Sequence, residues 1–288
     1  MEALFDTDLV ISRRKRALRQ PVKGADFLMQ LVADELSERL SVVERQFDVA
    51  VELHGATGMV GDACMATGKI GTLRRIELPD AFLPSATTAE ISPLEILPLD
   101  LASVNLVLSP LALHLTNDTP GVLIQARRAL KPDGLLLAAI PGAGTLQELK
   151  DVLLATEVEL LGGASPRVIP FPDVRDIGGL LQRAGFALPV VDTETRLVRY
   201  SSMFALLKDL RAMGMGNPLL NRSRKPLNRA FFLRAAEIYQ ERYADPDGKI
   251  RATFSFIFAS GWAPHESQQK PLKPGSAKAR LADALKVT

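Results

Sequence analysis

Val49-Ala50-Val51-Glu52-Leu53-His54-Gly55-Ala56-Thr57-Gly58 decides how this chain is read. An apolar run interrupted only by Glu52 has the composition of a buried parallel strand. Gly55 and Gly58 then make a turn, and the apolar residues after Gly58 begin a helix. An acid at the strand end, glycines in the turn and a helix N-terminus form a place where backbone N–H groups close on a ligand. His54 and Ala56 disturb that pattern. A branched imidazole crowds a turn that needs close backbone approach, and a positive φ costs it energy.

Working outward, apolar strands alternate with helical patterns. Residues 8–20 and 26–40 predict two amphipathic helices, the second with Leu28, Val32, Leu36 and Leu40 at four-residue spacing. Strands are expected at 49–53, 71–78 (ending near Glu77), around Glu90 and Ile91, at 105–109 and at 135–140. A helix over 118–130 closes in the turn Lys131-Pro132-Asp133-Gly134. Helices follow at 145–156 and 173–184, then one strand or a bent pair over 186–200. Helical stretches at 202–213 and 226–243 precede the turn Asp245-Pro246-Asp247-Gly248 and a long strand over 250–258. This alternation predicts an α/β fold with a parallel sheet covered on both faces. The two late strands form its antiparallel edge, and 202–243 is a helical insertion packed as a cap. The expected organisation is a helical extension over 1–45, a main domain over 46–262 and a basic tail over 263–288.

The composition sets bounds. The 288 residues are 47% hydrophobic and 24% charged, as in a globular protein, and the net charge of +2 gives no signal for nucleic acid. Basic residues gather at both ends, including Arg13, Arg14, Lys15 and Arg16. They read as solvated faces, or as docking surfaces for an acidic partner or an anionic membrane. Cys64 is the sole cysteine, so no intramolecular disulfide and no cysteine-based metal site forms within the chain. No apolar run reaches the length of a membrane span, and Glu2, Asp6 and Asp8 argue against a targeting peptide. The expected location is cytoplasmic, with peripheral association at the inner face of the membrane as an extension of it.

Several segments carry a resemblance: Leu111-Ala112-Leu113-His114-Leu115-Thr116-Asn117-Asp118, Leu130-Lys131-Pro132-Asp133-Gly134, Asp209-Leu210-Arg211-Ala212-Met213-Gly214 and Gly261-Trp262-Ala263-Pro264-His265-Glu266-Ser267-Gln268. Through them the chain resembles, nearly end to end, the mitochondrial complex I assembly factor family of methyltransferase-like arginine hydroxylases and its bacterial relatives. The resemblance implies a seven-stranded, Rossmann-like class I methyltransferase fold, which binds S-adenosylmethionine (SAM). It also implies a partner, a complex I subunit or assembly intermediate, with an arginine to be modified.

The first motif departs from the family's acid and Gly-Cys-Gly-x-Gly. Glu52 supplies the acid and Gly58 the last glycine; His54 and Ala56 replace glycines, and Gly55 is shifted by one. Glu77 matches the acid expected on the ribose hydroxyls. Pro93 stands before Glu95 where a carboxylate faces the adenine, and Asn105 replaces an aspartate at strand four. SAM binding is therefore expected to be weak or lost, at Glu52, His54, Gly55, Gly58, Glu77 and Glu95.

His114 follows strand four at the ligand edge and is the candidate catalytic residue, as a general base, against a reading as a packed histidine. Asn117 reads as a helix cap. The three histidines, His54, His114 and His265, lack the spacing of a metal motif. Glu52, Glu77 or Glu266 would orient a substrate arginine, which stays charged at physiological pH. Tyr200, Tyr239 and Trp262 read as core. The alternatives are a methyltransferase acting on a small molecule or acyl carrier, and a non-catalytic chaperone with a degenerate cofactor site.

Overall fold

The computed structural model describes residues 3–79 and 89–269. The tail over 270–288 lies outside the described residues. Two helices, α1 (Thr7–Arg19) and α2 (Phe27–Ser41), precede strand β1 (Phe47–Leu53). Helix α3 (Met59–Ala66) carries the chain to β2 (Ile70–Glu77), which runs parallel to β1 and pairs on its far side with the short β3 (Glu90–Ile91). Strand β4 (Val104–Pro110), helix α4 (Thr119–Ala129) and strand β5 (Leu130–Pro141) complete the parallel part. Helices α5 (Gln147–Leu161) and α6 (Val174–Arg183) lead to β6 (Ala187–Tyr200); α7 (Met203–Ala212) and α8 (Arg229–Tyr243) lead to β7 (Ile250–Trp262). The sheet order is β3-β2-β1-β4-β5-β7-β6, and β7 is antiparallel to both neighbours.

Strand alternation divides the core in two. Ala50, Leu106 and Leu108 face one layer, with α2, α3, α5, α7 and α8. Val51, Leu53 and Val107 face the other, with α4 and α6. Each fully buried large side chain, such as Phe254 or Leu36, contributes roughly 1.5–3 kcal/mol over exposure.

Several boundaries differ from expectation for local reasons. β5 begins at Leu130, which pairs with Val104 before a register shift; Asp133, at φ 65, takes up the irregularity. β7 runs on to Trp262 because both neighbours pair with it up to that residue, β5 from Phe256 and β6 from Ile250. Thr145 stays out of α5: its Oγ1 donates to Ser255 O and accepts from Ser255 N, tying the turn after β5 to β7. The cap of α4 is Asp118, whose Oδ1 accepts from Gly121 N, not Asn117. Asn117 Oδ1 instead accepts from Leu4 N and Phe5 N and pins the start of the chain.

The insertion is a cap only in part. α8 belongs to the helix layer beside α5, where the buried Tyr239 donates to Arg251 O at 2.8 Å. The end of α7 and the loop after it reach over the carboxyl ends of the strands. That loop meets the N-terminal segment through a Phe5–Leu219 bridge and an Asp6–Arg222 ion pair.

Candidate functional site

Parallel strands end at one edge, and ligands of open α/β sheets collect there. The carboxyl end of β1 delivers Glu52, fully buried, and the end of β2 delivers Glu77, also buried. Between them lies Arg75, two residues before Glu77 and so on the same strand face. Its Nε sits 3.1 Å from Glu52 Oε2, at ion-pair distance but out of hydrogen-bond alignment. Its Nη2 donates to Glu77 Oε1 at 3.1 Å. Backbone N–H groups take further positions: Gly61 N donates to Glu52 Oε1 and Ala56 N to Glu77 Oε1. Burial still pushes Glu52 up to about 7, against the opposing effect of Arg75. Glu77 is raised as well, by burial, with Arg75 and then Arg14 opposing.

The glycines of the turn accommodate this cluster. A Cβ on Gly55 would collide with the Glu52 carboxylate, and a Cβ on Gly58, the N-cap of α3 at φ 78, with the Arg75 guanidinium. His54 and Ala56 hold positive φ values, 53 and 60, without the freedom of glycine. His54 is buried with neither ring nitrogen hydrogen-bonded. Burial and the nearby Arg14 hold its pKa down at about 3.

Across from this cradle, after β4, His114 is half-buried and stacks at 6.3 Å on Phe171. Its Nδ1 has no partner, and burial followed by Arg14 lowers its pKa to about 3. At neutral pH it is an uncharged hydrogen-bonding group and a weak base. A cavity of about 650 Å³ opens beside it under α1 and the end of α7, reaching Ala56, Leu111 and Leu146. Among the described residues, four of the seven non-glycine residues at positive φ (His54, Ala56, Leu111 and Leu146) stand at this edge, a concentration of backbone strain expected of a ligand clamp.

The wall of the cavity is cationic. Arg13, Arg14, Arg16, Arg167 and Arg211 line it, against one carboxylate among the described residues, Asp26. Arg14 is not the solvated residue its sequence context suggests. Its Nη1 donates to His54 O and its Nη2 to Leu111 O, both at 2.9 Å.

The structure thus brings Glu52, His54, Gly55, Gly58 and Glu77 together, with His114 facing them across Arg14. Glu95 is tied elsewhere: its Oε1 accepts from Asn117 N and its carbonyl from Gln125 Nε2. Glu52 and Glu77 are absorbed by Arg75 and lie outside the cavity wall, so they do not stand ready for a substrate arginine. Glu266 and His265 follow Trp262, which pairs with Leu135 near the start of β5, and therefore sit at the opposite edge of the sheet. There Gln268 holds Asp133 and Ser267 caps the His265 ring, so this segment fastens the irregular start of β5. The three histidines do not converge, and no group of three metal-ligating side chains occurs among the described residues. Asn105 serves the ladder, its Oδ1 accepting from Val49 N. Tyr200 and Tyr239 are core, and Trp262 lies under the Arg45 guanidinium.

Sequence reasoning missed Arg75 and Arg14. The first had a signal, its two-residue spacing from Glu77. The second had none, because its partners lie far along the chain.

Comparisons with known proteins agree with this architecture. The family described as "Methyltransferase domain" matches residues 71–138. The mitochondrial arginine-hydroxylase NDUFAF5 of Homo sapiens is 35% identical over 291 residues, covering 99% of this chain and 84% of that protein. Its counterpart in Dictyostelium discoideum is 47% identical over 182 residues, 63% of this chain and 42% of that protein. Among solved structures, the YcgJ protein of Bacillus subtilis superposes with a TM-score of 0.55 at 10% identity, covering 81% of this chain and 99% of that one.

Proposed function

Because the chain belongs to the family of the mitochondrial arginine-hydroxylase NDUFAF5, we propose that it is an assembly factor of respiratory complex I that modifies an arginine of a complex I subunit. One observation carries this reading. Similarity to the human protein covers 99% of the chain, so it takes in α1, the α7–α8 insertion and the final segment, well beyond the generic methyltransferase domain at 71–138. The cavity at the carboxyl edge supports it as the place where a side chain of a partner would enter.

The fold is that of SAM-dependent methyltransferases, but the cradle residues do not fit SAM as they stand. Arg75 lies against Gly58, Glu77 already accepts from Arg75 and Ala56, and Glu52 already accepts from Gly61. SAM binding at Glu52, His54, Gly55, Gly58, Glu77 and Glu95 is accordingly weak or lost. His114 acts in the cavity as a neutral hydrogen-bonding group that orients what binds there. The protein works at the cytoplasmic face of the membrane, against a partly built complex. No helix among the described residues is long and apolar enough to cross a membrane, and the basic N-terminal helix and the basic residues at 270–288 supply the attraction.

The test is a deletion strain examined by native gel. Assembled complex I and its NADH–quinone activity should fall while other respiratory enzymes persist. Complementation with His114→Ala should fail although the protein accumulates. Normal complex I in the deletion strain would remove the assembly reading and leave the small-molecule methyltransferase as the better one.

A further inference from the structure

We infer that the main-chain carbonyls of His54 and Leu111 form a seat for a guanidinium, and that Arg14 of α1 is its built-in occupant, holding the place of the substrate arginine until α1 lifts. The inference rests on the reading above that the protein acts on arginine.

The seat is made by two strands. His54 follows β1 and Leu111 follows β4, neighbours in the sheet, and their carbonyls meet the two Nη atoms of one guanidinium at 2.9 Å each. A planar fork with divergent donors suits such a pair of acceptors; an ammonium does not span them in the same way. Both acceptor residues are non-glycine and both hold positive φ, 53 and 49. Strain at the two residues whose carbonyls converge on one cation is the pattern of a ligand clamp. The imidazoles of His54 and His114 flank the seat, and both are uncharged at neutral pH. Arg14 and Leu111 both border the cavity, so the seat is reached from it.

The wall chemistry fits a removable occupant. A cavity lined by Arg13, Arg14 and Arg16 repels an incoming arginine, yet all three belong to α1. Lifting this one helix vacates the seat and takes three of the five wall cations with it, leaving Arg167 and Arg211. The helix is fastened for that. It fully buries only Val10, whereas α2 buries five side chains. What holds its start is polar: the Asp6–Arg222 ion pair, Asp6 N on Pro218 O, and Asn117 on the amides of Leu4 and Phe5. Water or a docking partner can replace such contacts; a buried apolar face cannot be exchanged so readily.

The experiment is chemical occupation of the emptied seat. Full-length wild-type protein, Arg14→Ala and Arg14→Met are melted with millimolar methylguanidinium or methylammonium chloride. Methylguanidinium should raise the Tm of both variants by about 2–4 °C, as a ligand of the folded state does. Methylammonium should not, and wild type should respond to neither. Anisotropy of a labelled arginyl peptide and its citrulline counterpart gives the second reading. Arginyl-peptide affinity should rise by about tenfold or more from wild type to the Arg14 variants. Asp6→Asn keeps Arg14 but loosens its helix, and it should fall between them; this arm decides the matter if the Arg14 variants do not fold. Equal response to both cations, equal peptide affinity in wild type and Asp6→Asn, or equal affinity for arginine and citrulline would overturn the seat. Its fate is separate from the assembly role: methylguanidinium occupation with normal complex I in the deletion strain would keep the seat and remove the role.

Discussion

Replacing Arg75 with methionine tests whether an internal cation holds the ligand cradle together. The Arg75 side chain is 10% exposed and pairs with carboxylates that are 0% and 2% exposed. Methionine keeps most of the apolar stem and removes the charge. Two buried carboxyl groups then face each other with backbone donors alone. Each must stay charged in a desolvated place or take up a proton. Protonation sets the ceiling on the cost: at pH 7 a carboxyl with an ordinary value of 4.5 requires about 3 kcal/mol, at 1.36 kcal/mol per pH unit. Glu52 is already pushed up to about 7 with Arg75 present, so Glu77 bears most of the new cost. A loss of up to about 3 kcal/mol follows near neutrality, the low end of the range for removing one partner of a buried ion pair.

The sign against pH separates this from a packing defect. A carboxyl whose folded pKa is raised above its unfolded value favours the native state at low pH, and that advantage is lost as pH rises. The variant should therefore approach wild type near pH 5, where protonation costs less than about 1 kcal/mol, and diverge from it toward pH 8. Urea unfolding at several pH values reads this directly. Adding Glu77→Gln to the Arg75 variant should recover much of the loss at pH 8. A cost that does not change with pH, or no recovery in the double variant, would refute the electrostatic account.

Two further outcomes are expected. Calorimetric titration with SAM should show weak or no binding to wild type and little gain in His54→Gly, because Arg75 still fills the turn; tight binding to either would show that the cradle opens more readily than its packing suggests. Stability should fall as pH drops from about 4.5 toward 3, because the unfolded chain holds His54 and His114 protonated while the folded chain keeps both at about 3; at higher pH the raised Glu52, between 4.5 and about 7, and the raised Glu77 act oppositely. Below about pH 4.5 the histidines act without that opposition, so the acid limb is steepest there, and His114→Phe should flatten it in urea unfolding, where an unchanged limb would contradict the assignment.

The sheet was legible because its signals are local. Alternating apolar residues and the Asp245-Pro246-Asp247-Gly248 turn each act over a few residues, and all seven strands lie near where those patterns indicate, although Lys131-Pro132-Asp133-Gly134, expected as a turn, is an irregular start of β5. Boundaries slipped where pairing overrode the pattern, as when β7 continued to Trp262 along both neighbours. The positive φ of His54 was also readable, since a turn of this shape demands it whatever residue fills it. The partners of the site were not. Arg14 reaches carbonyls that are 40 and 97 residues away, and no local pattern encodes such a pairing. The basic run around Arg14 reads as a solvated face, and only the packing of α1 on the strand ends shows that one of its cations turns inward. Asn117 carried an ambiguous signal: cap and strap need the same acceptor, and Asp118 beside it won the cap.

This bears on what an acidic strand end and a glycine turn mean. In the sequence, Glu52, Gly55, Gly58 and Glu77 point to an external ligand. In the fold, each has an internal reason to be what it is. Gly55 must lack a side chain because the Glu52 carboxylate lies against it, and Gly58 because Arg75 does. Glu52 and Glu77 must be acidic because a guanidinium buried between them would otherwise be uncompensated, at a cost of several kcal/mol. The motif therefore does not by itself establish a bound cofactor in this chain. An internal arginine satisfies the same donors and acceptors that an external ligand would. The chemistry of the site then rests on the groups Arg75 leaves free: the strained carbonyls of His54 and Leu111, the unpartnered Nδ1 of His114 and the cavity beneath α1. A cavity with such groups at its edge has the room and the hydrogen-bonding capacity that the proposed action on a protein side chain requires.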